Sequence, residues 1–332
     1  MKNYLSLLKE VLEENSLEIE AYLQSGDKEH ARADRTGVST FSLFGRQLRF
    51  DLEKGFPVVT TKRVPFRLVV SELIWFLRGD TNIRFLLQHN NHIWDEWAFK
   101  RYVASTDYTG PDMTDFGLRA TEDPQFEVQY KEQLALFCEK ILKDDVFSEQ
   151  YGELGPVYGK QWRAWEGKEG RYDQIAWIIK EIKRNPNSRQ LILNGWNVAD
   201  VQDGKMALPP CHTMFQLYVR DGKLDGQLYQ RSCDLFLGGP FNFPSYALLI
   251  HFLAKWTGLE VGELVVTFGD SHIYSNHLTQ VNEQLSREVR ELPTLVLPED
   301  IGELEDIYKL NPADITLLNY DHHPAIKAPV AV

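Results

Sequence analysis

The stretch 208–234 constrains the fold more than any other part of the chain. It holds the apolar-alternating run 213–219 and a second run, 229–234, with the dipeptide Asp221-Gly222 between them. Asp-Gly favours a tight two-residue turn, so an antiparallel hairpin is expected. The lead-in, Leu208-Pro209-Pro210-Cys211-His212, is stiffened by two prolines and presents a thiol at the edge of the first strand. A free thiol with a pKa of about 8.5 is only a few per cent thiolate at neutral pH, so a nucleophilic cysteine needs a positive neighbour. Arg231 fits that need, because the hairpin would return it to the side of Cys211. His212 is a weaker base, since neighbouring strand residues point to opposite faces. Cys138, inside the helical-looking run 133–142, and Cys233 read as buried small hydrophobes.

The 332 residues, 43% hydrophobic and 25% charged, suffice for one large or two medium domains. A net charge of −12, with no Lys/Arg-rich tract, speaks against a DNA or RNA binder that neutralises phosphates broadly. Any anionic ligand must then be held by a few local arginines. Three widely spaced cysteines give neither a disulfide framework nor metal-ligand spacing, and fit a reducing cytoplasm. The first fourteen residues carry charges among apolar positions at helical spacing and predict an amphipathic helix. The longest apolar run, 246–254, is too short to span a bilayer and predicts a buried helix entered through Pro244.

Strands are expected at 40–51, 58–61 and 264–268, helices at 69–77 and 172–183, and an extended run at 189–196. Residues 100–150 differ in texture: they are charge-rich, carry the loop signal Thr109-Gly110-Pro111-Asp112, and then turn helical. They read as a largely helical insertion. No repeat or Gly-rich phosphate loop interrupts the chain. The expected architecture is an α+β single domain over 1–332, built on a large, mostly mixed β-sheet with flanking helices.

Asp34-Arg35-Thr36-Gly37, Thr60-Thr61-Lys62-Arg63, Glu72-Leu73-Ile74-Trp75-Phe76-Leu77 and Gly79-Asp80-Thr81-Asn82 stand in the first third of the chain. Trp94-Asp95-Glu96-Trp97 and Gly155-Pro156-Val157-Tyr158-Gly159-Lys160-Gln161-Trp162-Arg163 follow. Then come Leu208 to His212, Gln230-Arg231-Ser232-Cys233-Asp234, Phe236-Leu237-Gly238, Pro240-Phe241-Asn242, Gly269-Asp270-Ser271-His272-Ile273-Tyr274 and the ending Ile326 to Val332. In number, order and spacing these strings resemble the thymidylate synthases over nearly the whole chain. The resemblance implies the fold of that family and a homodimer packed sheet against sheet. Some relatives run almost directly from the Trp-Asp-Glu-Trp segment to the Gly-Pro-Val-Tyr segment, so the catalytic core closes without residues 100–150.

The implied activity is the reductive methylation of dUMP to dTMP. The co-substrate 5,10-methylenetetrahydrofolate supplies the carbon and the hydride and leaves as dihydrofolate; no metal is implied. Uracil C5 is a poor nucleophile until something adds at C6, and Cys211 is the implied nucleophile. Arg35, Arg231 and Ser232 would bind the phosphate, where guanidinium forks and a hydroxyl suit its oxygens. Arg189 would reach across the dimer into the second subunit's site. Gln230, Asp234 and Asn242 would meet the nucleotide, Asn242 accepting from uracil N3–H while donating to O4. By spacing alone Asn242 can also be read as a cap on the following helix. His272 and Tyr274, two apart and so on one face of an extended segment, suit the deoxyribose hydroxyl.

Glu72, in an apolar helix, should carry a raised pKa suited to proton traffic at O4. Tyr158 would help remove the C5 proton through water, with His212 as an auxiliary hydrogen-bonding group. For the folate, Ile93, Trp94, Trp97, Leu208, Leu237, Gly238 and Phe241 offer apolar surface and close approach. Asp234 can accept from the pterin, Lys62 and Arg63 can meet the glutamate tail, and Ala331 lies in a C-terminal lid locked by the Val332 carboxylate.

Three departures from the resemblance stand out. The second residue of the arginine pair is Gln190, which predicts weaker phosphate binding. Gly195 and Gly239 replace larger residues and are expected to add backbone freedom. Competing readings are a pyrimidine nucleotide hydroxymethylase of the same fold, disfavoured by Asn242, and a cysteine hydrolase, which lacks a placed histidine base. A nonenzymatic nucleotide- or RNA-binding module is the third, disfavoured by the acidic charge and the intact Cys211, Glu72, Tyr158 and Asn242.

Overall fold

The computed structural model describes residues 1–34 and 37–330. Arg35, Ala331 and Val332, expected at the phosphate and in the C-terminal lid, lie outside the described residues. Among those described, nine strands are present: β1 (Thr40–Asp51), β2 (Trp165–Gly167), β3 (Gly170–Tyr172), β4 (Ile192–Asn194), β5 (His212–Arg220), β6 (Lys223–Asp234), β7 (Glu260–Tyr274), β8 (Thr294–Val296) and β9 (Thr316–Leu318). Five of them form a sheet in the order β1-β7-β6-β5-β4, in which β6 and β7 run parallel and the other neighbours antiparallel. The sheet is mixed, as expected of an α+β domain.

The expected hairpin joins β5 to β6. Asp221 and Gly222 both take positive φ, 52° and 76°, the left-handed geometry that a two-residue turn matching the strand twist demands. The pairing slips by one residue between His212 and Met214, so Thr213 is a bulge. That bulge re-phases the strand: His212 is buried like Phe215 and Leu217, although the parity of its number differs.

The parallel β6–β7 pair needs a crossover, supplied by the helix Gly239–Thr257. Its residues are buried nearly all round, as the apolar run 246–254 requires, and Lys255 follows that run in the last turn. It does not begin at Pro244. Pro240 occupies the first turn, where a missing N–H costs nothing, and Pro244 lies inside the helix. The amphipathic start forms the helix Lys2–Glu14, which buries Tyr4, Leu7, Leu8 and Val11 at three- and four-residue spacing. Glu72 rides on the helix Phe66–Leu77.

Residues 58–61 are not a strand. Val58 and Val59 are buried, yet their neighbours bond to irregular segments: Phe56 N–H to Pro293 O and His323 N–H to Thr60 O. Burial alone made this run look like a strand. Of 189–196, only Ile192–Asn194 is ladder-paired, with single bonds from Leu217 N–H to Leu191 O and from Gly195 N–H to Thr213 O on either side. Past the helix Asp95–Val103 come helices Phe116–Glu122, Pro124–Lys143 and Asp145–Tyr151. The carboxylates of Asp123 and Asp144 cap the last two by accepting N–H groups of Gln125 and Phe147. Their buried faces share aromatic contacts, with Phe137 5.5 Å from both Phe99 and Tyr102. No helix among the described residues is long and apolar enough to cross a membrane.

Candidate active site

Strand register assembles the site. Antiparallel pairing sets His212 opposite Gln230, and parallel pairing sets Ser232 opposite Asp270 and Asp234 opposite His272. The start of β5, the end of β6 and the end of β7 therefore meet at one end of the sheet. Into that corner the first turn of helix Gly239–Thr257 brings Asn242, and the helix Tyr158–Arg163 brings Tyr158.

Cys211 is half-buried. Arg231 returns beside it, as the hairpin predicted: its N–H donates to Cys211 O at 2.9 Å, its Nε to Pro210 O at 3.0 Å and a terminal nitrogen to Pro209 O at 2.9 Å. One arginine thus ties down the whole Pro-Pro-Cys turn. The Trp196 ring lies 5.5 Å from its guanidinium carbon, a cation–π contact that limits where the fork can point.

The Tyr158 hydroxyl oxygen accepts the backbone N–H of Cys211 at 2.9 Å and of His212 at 3.4 Å. Burial first, and then the nearby Cys211, push this phenol well above its ordinary range, so it stays protonated. His212 packs 5.2 Å from the Tyr158 ring and 5.1 Å from Tyr246. Burial lowers its pKa to about 4, leaving a neutral imidazole whose Nδ1 has no hydrogen-bond partner among the described residues.

Asn242 Oδ1 accepts from Gln230 Nε2 at 2.9 Å, and the same nitrogen contacts Ser232 O at 3.2 Å. The Asn242 N–H donates to Gly238 O at 3.0 Å, so the residue sits inside the first helical turn and does not cap the helix. Its cap reading therefore falls. Glu72 accepts from the Trp94 indole N–H at 2.7 Å, and burial raises its carboxyl from the usual 4.5 to about 7. Asp234 Oδ1 accepts the N–H groups of Phe236 and Leu237 at 2.9 and 3.1 Å, shaping the turn that leads to Gly238. His272 Nδ1 is 3.0 Å from Asp270 Oδ1, and the Tyr274 hydroxyl donates to Asp34 Oδ2 at 3.3 Å. Their rings touch at 5.1 Å, on one face as their spacing predicted.

Among the folate candidates, Trp97, Leu208, Leu237 and Phe241 are partly buried against the core, and Ile93 is exposed. Trp94 is buried. A Cβ on Gly238 would stand 3.1 Å from Asp234 O, so the backbone there is closely approached. Lys62 differs from an outward-reaching lysine: its ammonium turns inward, donates to Phe236 O and lies 3.4 Å from the Phe236 ring centroid. Burial lowers its pKa to about 7. Arg63 beside it is exposed. A cavity of about 580 Å³ is lined by Trp97, Glu96, Gly37 and residues 110–118; Cys211 does not line it. Arg189 and Gln190 are exposed just before edge strand β4, and no hydrogen bond or ion pair joins Arg189 to the site among the described residues.

Neither Gly195 nor Gly239 takes a positive φ, so a left-handed backbone is not what calls for glycine at either position. A Cβ on Gly195 would come within 2.9 Å of His212 O, and one on Gly239 within 3.0 Å of the Phe243 ring; both glycines answer to close packing. Sequence reasoning also passed over Trp196, and over Tyr246, whose only signal was a phenol at the start of an apolar run.

A family model described as Thymidylate synthase matches residues 2–332. A curated protein named thymidylate synthase, from Listeria monocytogenes serotype 4a (strain HCC23), is 56% identical over 333 residues that cover 100% of this chain and 100% of that protein. With the site motifs in order and the match running from end to end, the chain belongs to the thymidylate synthase family.

Proposed function

We propose that this chain methylates dUMP at uracil C5 to give dTMP, with 5,10-methylenetetrahydrofolate as co-substrate, through a covalent bond between Cys211 and uracil C6. The observation that carries the reading is the clamp on the nucleophile's turn, made by the Arg231 side chain on the Pro209 and Pro210 carbonyls and by the Tyr158 hydroxyl on the Cys211 N–H. A nucleophile whose backbone is fixed on both sides has little orientation left to lose in the transition state.

In this reading the Cys211 thiolate forms the S–C6 bond, and the C5–C6 electron pair moves to C5 and O4 as an enolate. C5 then attacks the one-carbon unit of the folate; once the C5 proton is removed, the bond from that carbon to the folate nitrogen breaks, and a hydride from the released tetrahydrofolate reduces the carbon to methyl and leaves dihydrofolate. Asn242 donates its amide to O4, where charge develops, and accepts N3–H with the lone pair that Gln230 leaves open. Gln230 sets which way the amide faces, and so favours uracil over cytosine. Glu72, with a pKa of about 7, exchanges protons with O4 and ordered water at neutral pH. Tyr158, held protonated, positions water for removal of the C5 proton and does not take that proton directly. Breaking the S–C6 bond returns the thiolate and restores the ring double bond. Arg231, Ser232 and Arg35 take the phosphate, and His272 and Tyr274 the sugar hydroxyl.

The same reading includes a homodimer and a helical insertion over residues 100–150. The outward face of the main sheet carries Met214, Tyr218, Tyr229 and, between them, Gln216 and Gln227, all exposed. Gln47 and Gln227 both donate to the Thr267 hydroxyl, at 3.0 and 3.1 Å, tying three strands together on that face. A sheet face with this much aromatic surface calls for a cover, and a second copy packed sheet on sheet provides one. That packing would place the exposed Arg189 at the second subunit's phosphate site.

The test is to incubate the protein with methylenetetrahydrofolate and a dUMP bearing fluorine at C5, which cannot leave as a proton and so halts the reaction at the adduct. Mass spectrometry should find nucleotide and folate on the peptide containing Cys211. Label on another residue, or on none, defeats the proposal.

A further inference from the structure

His92, Asp95 and Cys138 form a cluster that the reaction above does not use. Asp95 opens the helix Asp95–Val103, His92 precedes it in the adjoining loop, and Cys138 arrives from the helix Pro124–Lys143. His92 Nδ1 lies 2.6 Å from Asp95 Oδ2, and Cys138 Sγ lies 3.1 Å from the same oxygen. One nitrogen, one carboxylate oxygen and one sulfur fall within 4.8 Å of one another.

One further observation points to a cation, and a second to the histidine nitrogen that would meet it. Asp95 is 2% exposed, and its second oxygen, Oδ1, is buried with no hydrogen-bond partner among the described residues. Leaving a buried carboxylate oxygen unsatisfied costs about 1–3 kcal/mol or more, so such an atom asks for a partner. The other ring nitrogen of His92, Nε2, faces Asn90 Oδ1 at 3.2 Å. Nδ1 is thereby turned toward Asp95 Oδ2, the two atoms standing side by side as two ligands of one ion stand.

We propose that His92, Asp95 and Cys138 bind one zinc ion per chain. A mixed nitrogen, oxygen and sulfur set suits a borderline-soft d¹⁰ ion, and three protein ligands leave a fourth tetrahedral position for water. His92 is 56% exposed, so solvent reaches that position through it and the ring has room to move. Tetrahedral bonds of about 2.0–2.3 Å set ligand atoms about 3.5 Å apart, which asks the nitrogen–oxygen and sulfur–oxygen contacts to open by about 1 Å or less, and the nitrogen and sulfur, already within 4.8 Å, to settle at a similar spacing. On binding, Cys138 releases its proton to water and the sulfur bonds the metal as thiolate. Asn90 is then the outer partner that fixes which nitrogen coordinates. The ion would tie the helix Pro124–Lys143 to the residue following Trp94, whose indole rests on Glu72.

Reduced, metal-stripped full-length protein titrated with Co²⁺ alone, and then with Zn²⁺, tests this. One Co²⁺ per chain should bind with a thiolate-to-metal charge-transfer band, and Zn²⁺ should displace it. The band should survive in Cys211→Ser and vanish in Cys138→Ala. His92→Gln, at an exposed position where folding is not at stake, should weaken Zn²⁺ by at least the roughly 10–100-fold that loss of even a supporting group costs. Zn²⁺ should also slow hydrogen exchange in helix Pro124–Lys143 of the wild-type protein and not of His92→Gln. Any one of three results overturns the site: no stoichiometric binding, a band lost in Cys211→Ser but kept in Cys138→Ala, or affinity unchanged in His92→Gln.

Discussion

The Tyr158 hydroxyl and the Cys211 backbone N–H are joined at 2.9 Å, with the phenol buried beneath the peptide that carries the thiol. A group that sequence reasoning cast in proton transfer is therefore also the floor on which the nucleophile rests.

Replacing Tyr158 with Phe keeps the ring and removes that floor. The Cys211 N–H then loses its acceptor, at a cost of about 1–3 kcal/mol in stability. Turnover should drop by about 100-fold or more, since proton handling and thiol placement fail together. Urea unfolding and steady-state kinetics on the same preparation check both; kinetics like the wild type's would remove Tyr158 from the mechanism.

Glu72 gives a pH signature. Its raised carboxyl binds its proton more tightly in the folded than in the unfolded state. That contribution to stability is complete below about 4.5 and is lost as pH climbs through about 7. Glu72→Gln is neutral throughout, so relative to wild type it should gain up to about 3 kcal/mol between pH 5 and pH 8 while losing turnover. Urea unfolding at several pH values measures this; parallel curves for the two proteins would mean that the carboxyl is not raised.

Asn242→Asp changes what the base edge meets. A carboxylate accepts from the cytosine amino group and cannot donate to uracil O4. The ratio of kcat/KM for dUMP over dCMP should fall by at least about 100-fold. Competition between the two nucleotides reads it directly, and an unchanged ratio would free Asn242 of any part in base choice.

Gln190→Arg restores a second cation beside Arg189. In the proposed dimer it adds a charged hydrogen bond to the phosphate, so KM for the nucleotide should fall about tenfold with kcat little changed. A KM that stays level or rises contradicts the proposed contact across the dimer.

Much of the fold was legible because local signals agreed with the tertiary outcome. Asp221-Gly222 with flanking alternation fixed the hairpin, and 40–51 reads as a strand and is one. Where burial rather than ladder pairing set the pattern, sequence misled. Val58 and Val59 look like strand residues because they are buried, and Pro244 resembles a helix start because the true start, at Gly239-Pro240, lies in a short motif before it. The site residues were identified by motif, but their connections were not. The hairpin brings Arg231 back beside Cys211, but that its side chain grips the Pro-Pro carbonyls, and that Gln230 sets the amide of Asn242 on the crossover helix, are side-chain contacts that no local signal specifies. The inward turn of Lys62 was hidden for the same reason, since its partner Phe236 is 174 residues away.

The most direct measurement is the absorbance change of dihydrofolate formation from dUMP and methylenetetrahydrofolate, run on the wild-type protein and on Cys211→Ser. The wild-type protein should form dihydrofolate and dTMP in equal amounts, and the serine variant should lose nearly all turnover while still binding dUMP. Equal rates in the two proteins, or no dihydrofolate from either, would contradict the central role given to the Cys211 sulfur.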